Sequence, residues 1–154
     1  MERDVVEAAR LALEGADLVF RRGTAVLWTV PLESMRVLGE TTNASGPWGD
    51  DWLLIVIDGQ EPGWFQAPMD AEGVQEVLQE LARRLGEPLE LRLANSTTFQ
   101  SRGLWPAALL GRPLFRLEEP EPAHLWQRVL KLVRLWPWHR IQSFTPEVSS
   151  HCRR

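Results

Sequence analysis

Apolar and polar positions change period several times along the chain, and each change marks a predicted element. Residues 4–14 read as a short amphipathic helix: Asp4 and Glu7 have the spacing of a capping box, and Gly15 is a natural stop. Strand-like runs follow at Leu18-Val19-Phe20, Ala25 to Val30, Met35 to Thr41, Trp52 to Ile57, and around Trp64-Phe65-Gln66. Arg22-Gly23-Thr24 is a tight turn, and Pro31 ends the second run because proline cannot donate to a ladder. Residues 52–57 are apolar without interruption, the pattern of a central strand covered on both faces. The period then becomes helical. Val74, Val77, Leu78, Leu81 and Leu85 form one stripe behind Asp70 as N-cap, and Gly86 and Pro88 close a helix over 70–85.

Beyond that helix the pattern weakens. Leu89-Glu90-Leu91-Arg92-Leu93 alternates like a strand, and 104–117 reads as ordered but irregular. Glu118-Glu119-Pro120-Glu121-Pro122 reads as an exposed linker. A second amphipathic helix is predicted over 124–136, stopped at Trp136-Pro137, and the last dozen residues are expected to be loose. Together these elements predict an α+β fold: a small antiparallel sheet of four to seven strands packed by helix 70–85, with an N-terminal and a C-terminal helix. The expected division is a body over 1–117, a linker over 118–122, and a C-terminal basic helix and tail over 123–154.

Thr29-Val30-Pro31-Leu32-Glu33-Ser34-Met35-Arg36-Val37 resembles the "V-P-hydrophobic-acid" strand of bacterial pleckstrin-homology-like domains. So does Ala67-Pro68-Met69-Asp70-Ala71-Glu72-Gly73, which leads into the closing helix. The resemblance covers about 17–86 and extends to small bacterial proteins of this organisation without an assigned function. It implies a PH-like sheet and a binding or scaffold role. In lipid-binding members, basic residues near the first hairpin hold phosphoinositides. Only Arg21 and Arg22 occupy such positions here, too few to imply that activity.

Charge changes the picture more than composition does. The net charge of −4 divides unevenly: from Ala123 onward six basic residues face Glu147 alone, while residues 1–122 hold 11 basic and 20 acidic groups. An acidic body argues against nucleic acid as a partner. Cys152 is the sole cysteine, Met1-Glu2-Arg3-Asp4 lacks a basic-then-apolar leader, and the longest apolar run is six residues, so a cytoplasmic location is expected.

Candidate chemistry is sparse. His124, His139 and His151 match no metal-ligand spacing, and no G-x-G-x-x-G loop exists, so neither cofactor nor small-molecule ligand is implied. His151-Cys152 lies in the tail, where Cys152 is expected to be accessible and dispensable. Asp50-Asp51 reads as solvated loop acids, and an enzyme with a site near the 43–51 loop would need Asp50, Asp51, Arg36 and Thr98 to converge. Of eight tryptophans, Trp28, Trp52 and Trp64 are expected in the core. Trp48, in the turn Gly46-Pro47-Trp48-Gly49, is either a partner anchor or a lid over the sheet edge, the lid being favoured. On helix 124–136 the basic side carries Arg128, Lys131 and Arg134, and the aromatic boundary is Trp126, Trp136 and Trp138. That pattern suits docking on the body, on a second copy or another protein, and secondarily a membrane surface. The expected role is therefore a non-enzymatic interaction or scaffold module, with an immunity-type protein that blocks a toxin as a further alternative.

Overall fold

The computed structural model describes residues 7–43, 51–59, 63–96, 98–118 and 141–153. Among the described residues nine strands are formed: β1 (Ala9–Glu14), β2 (Asp17–Arg22), β3 (Ala25–Pro31), β4 (Met35–Thr42), β5 (Trp52–Asp58), β6 (Phe65–Pro68), β7 (Gln100–Trp105), β8 (Phe115–Glu118) and β9 (Ile141–Phe144). Helix α1 (Val74–Leu85) follows β6, and α2 (Pro146–Cys152) follows β9. The fold is α+β with antiparallel ladders throughout: a meander β1-β2-β3, a sheet β6-β5-β4-β7, and a hairpin β8-β9. No helix among the described residues is long and apolar enough to cross a membrane.

The uninterrupted apolar run of β5 has the predicted cause. The strand lies between β4 and β6, and each of its faces meets a different core. Leu54 and Val56 face the first core, made with Leu18, Phe20 and Val30 of the meander and Val74, Leu78 and Leu81 of α1. Leu53, Ile55 and Ile57 face the second, with Val37, Leu109, Leu114, Phe115 and Val148. Gly39 on β4 permits that second layer, since a β-carbon there would overlap the Leu114 side chain and the Arg102 carbonyl.

The predicted N-terminal helix is not formed over its described part. Residues 9–14 are strand β1, paired residue for residue with β2 from Ala9↔Arg22 to Glu14↔Asp17. The capping-box spacing is a local signal of about 1 kcal/mol. A six-residue ladder that buries Leu11 against α1 outweighs it.

Helix α1 begins at Val74 and not at Asp70, because the residues between are held by β1. Leu11 N–H donates to the Glu72 carbonyl and Glu72 N–H to the Ala9 carbonyl. Gly73 then turns with φ 82°, where a β-carbon would overlap the Leu11 carbonyl.

Two further expectations are corrected. Residues 89–93 join no sheet: Arg92 and Leu93 donate their backbone N–H groups to the Glu40 carboxylate, while Leu89 and Leu91 lie against the first core. The C-terminal residues are packed, not loose. β9 pairs with β8 from Phe115↔Phe144, Thr145 anchors to the Leu114 and Pro113 carbonyls, and Val148 of α2 is fully buried. The predicted helix 124–136 and most of the 118–122 linker lie outside the described residues.

Candidate functional site

A cleft of about 540 Å³ opens where the second core reaches the surface, between the end of β5, the start of β6, β9 and α2. Its wall is aromatic. Trp64 packs on Phe115 with ring centres 4.7 Å apart, and on Phe144 edge-on at 5.6 Å, while Phe115 and Phe144 stack at 5.7 Å. The β8-β9 register brings the two phenylalanines together, because Phe115 and Phe144 are direct cross-strand partners. Gly59 and Gly63 border the opening, and Asp58, Ser143, Ser149 and Arg153 supply polar groups.

The half-buried Cys152 thiol also lines this cleft. Burial pushes its pKa up, and the Asp58 carboxylate adds to that, against a partial offset from the Arg36 guanidinium. A thiol whose pKa is raised is a poor nucleophile near neutral pH.

Glu40, the one fully buried acid among the described residues, is structurally committed. Its carboxylate accepts from Trp52 Nε1 at 3.0 Å, Arg92 N–H at 2.7 Å and Leu93 N–H at 3.3 Å, with Arg102 Nη1 at 3.7 Å. Arg102 Nη1 also donates to the Glu90 carbonyl. This clasp straps segment 88–93 across β4 and β7 beside a cavity of about 380 Å³ that Arg102 and Phe99 help line. Nothing in the linear pattern singled out Glu40. The one available signal was an acid two positions after Leu38, on what a strand's alternation makes the same face.

The residues proposed for catalysis do not all converge. Arg36 lies against Gly59, while Asp51 sits at the other end of the β4-β5 hairpin, where Asn43 N–H donates to its carbonyl. Seven strand residues separate those ends, roughly 20 Å at 3.3 Å per residue. Thr98 does sit at the Asp51 end, its carbonyl accepting from Thr42 Oγ1. Asp50 lies outside the described residues, as do all seven predicted interaction residues, Trp48, Trp126, Arg128, Lys131, Arg134, Trp136 and Trp138.

Trp28, Trp52 and Trp64 are half-buried at the margins of the cores, not inside them. Each has a hydrogen-bond acceptor for its indole N–H: the Gln66 carbonyl for Trp28, Glu40 for Trp52, and the Gln66 side chain for Trp64. Among the described residues, no three His, Cys, Asp or Glu side chains are grouped to hold a metal ion. No protein-family model, curated protein or solved structure matches the chain.

Proposed function

We propose that the chain is a non-catalytic interaction module of the cytoplasm, built on a pleckstrin-homology-like plan. The strand meander, the Val30-Pro31 passage into β4 and the long helix after β6 support that plan. Six strands precede α1 and β7 follows it, so the order departs from a domain whose helix closes seven strands. The observation that carries the function is the aromatic cleft. An apolar wall of Trp64 and Phe144, with Asp58 and Arg153 near its mouth, suits an apolar side chain of a protein partner whose polar backbone stays at the rim. The sequence of 124–138 adds a second contact surface through Trp126, Arg128, Lys131, Arg134, Trp136 and Trp138. Its positive charge suits the acidic remainder of this chain or of a second copy, and the effective concentration of a body on the same chain sets that docking ahead of an anionic membrane.

A photo-crosslinking amino acid at Ser149, inside the cleft, tests the reading in cells that express the chain. A discrete adduct that disappears when Trp64→Ala is added is the expected result. No adduct, or one indifferent to Trp64→Ala, would overturn it.

A further inference from the structure

The outer strands of the two larger sheets are not treated alike. The free edge of β1 is engaged by Glu72, and that of β7 by its own turn, with Gly103 N–H donating to the Arg112 carbonyl and Gly111 N–H to the Gly103 carbonyl. At β6 the Gln66 carbonyl accepts from Trp28. The edge of β3 has no such cover among the described residues. Ala25 and Thr29 are exposed, and Val26 and Leu27 are 49% and 52% exposed. The segment Ala25-Val26-Leu27-Trp28-Thr29-Val30 has no charge and no interior proline, the usual devices that stop an edge from pairing.

The ladder shows which groups this edge offers. Leu32 N–H donates to the Ala16 carbonyl, which makes 16/32 a hydrogen-bonded pair. Pairs alternate along an antiparallel ladder, so Val19/Thr29 is a non-bonded pair. Thr29 therefore turns both its N–H and its C=O away from β2, toward open solvent.

The charges flanking the strand then select an orientation. At the β2-β3 turn the meander carries Arg10, Arg21 and Arg22, with Glu7 near Gly23 as the single acid. At the opposite end it carries Glu14, Asp17 and Glu33, with Arg84, itself paired to Glu80, donating to the Gly15 carbonyl. Arg21 leans along the sheet to Glu14; of the exposed cations at that end, Arg10 and Arg22, it is Arg22 that stands beside β3, and at the other end Glu33 is the exposed acid beside it. Parallel alignment of two copies sets like ends together; antiparallel alignment sets basic against acidic.

We infer that β3 pairs antiparallel with β3 of a second copy of this chain, about a two-fold axis near Thr29, joining two meanders into one six-stranded sheet. The contact stands apart from the cleft and does not depend on it. Thr29→Pro removes an N–H that β2 does not use, so the fold tolerates it while the added strand does not. Leu27→Lys places a charge on the same edge.

Sedimentation velocity on the full chain, from low micromolar to several hundred micromolar, reads the outcome. The wild type is expected to dimerise, and each variant to weaken the dimer by at least about tenfold, with a melting temperature unchanged at concentrations where the wild type is monomeric. If Thr29→Pro fails to fold, Leu27→Lys decides alone. Arg22→Glu weakens the dimer, and Arg22→Glu with Glu33→Arg restores it. A wild type that stays monomeric, a dimer indifferent to Leu27→Lys, or a charge swap without rescue overturns the proposal. Trp64→Ala leaves this dimer intact, which separates its failure from that of the cleft.

Discussion

Replacing Glu40 by alanine tests whether one buried carboxylate holds the 88–93 segment in place. The substitution leaves the Trp52 indole and the Arg92 and Leu93 backbone N–H groups without an acceptor, and Arg102 without its counter-charge. Buried donors left unpaired cost about 1–3 kcal/mol each. Against this stands the relief of no longer desolvating a carboxylate, several kcal/mol in the other direction. The difference should come to about 3–5 kcal/mol, the usual cost of removing one partner of a buried pair. For a chain of this length that is a fall in melting temperature of about 6–20 °C. Glu40→Gln keeps one acceptor oxygen and should lose about half as much. Glu40→Leu combined with Arg102→Met should cost less than the two single changes added together, because neither charge is then stranded. Urea unfolding monitored by tryptophan fluorescence gives all five values, the two single changes Glu40→Leu and Arg102→Met included. A loss below about 1 kcal/mol for Glu40→Ala, or strict additivity in the double variant, would refute the clasp.

The remaining expectations concern the core, the thiol and the helix surface. Ile55→Asp puts an uncompensated charge into the second core, where Ile55 is wholly buried, and should abolish cooperative unfolding in calorimetry. Cys152 should react slowly with a thiol reagent near neutral pH and faster as pH rises or denaturant opens α2; prompt labelling of the native protein would contradict its packing. Cys152→Ser should cost about 1 kcal/mol, since a hydroxyl replaces a thiol packed against the second core. Hydrogen bonds from Arg83 and then Arg84 hold the Glu80 carboxyl down from 4.5 to about 2. Because the folded value is the lower one, its stabilisation is complete above pH 4.5 and lost as pH falls toward 2. Glu80→Gln should flatten the low-salt melting curve across that window only.

The readable parts of this fold were those where one element decides its own pattern. β5 announces two-sided burial by six apolar residues in succession, and α1 announces its buried stripe at Val74, Val77, Leu78 and Leu81. The errors fell where distant partners decide. Residues 9–14 satisfy a helical wheel and a strand almost equally, and only the β2 ladder resolves them. Leu89 to Leu93 alternates like a strand, yet its backbone donors go to a side chain some 50 positions earlier in the chain. The cleft was unreadable for the same reason. It depends on bringing Trp64, Phe115 and Phe144 together from three separate segments, and Phe144 belongs to a stretch whose polar, proline-containing sequence suggests a frayed end.

The closure of β8 by β9 has a consequence for biosynthesis. Phe115 and Leu114 leave the ribosome well before Phe144 and Val148, which complete their side of the second core. At about 5–20 residues per second, the interval between Glu118 and Cys152 lasts a few seconds. Throughout it, the outer face of β4 and β5 has only Leu109, Leu114 and Phe115 to cover it, on a nascent chain whose first core can already assemble. Interrupted translation anywhere in this interval would release a half-clad product, with Val37, Ile55 and Phe115 facing water, a ready client for chaperones and proteases. Residues that read as a dispensable tail therefore complete the second core.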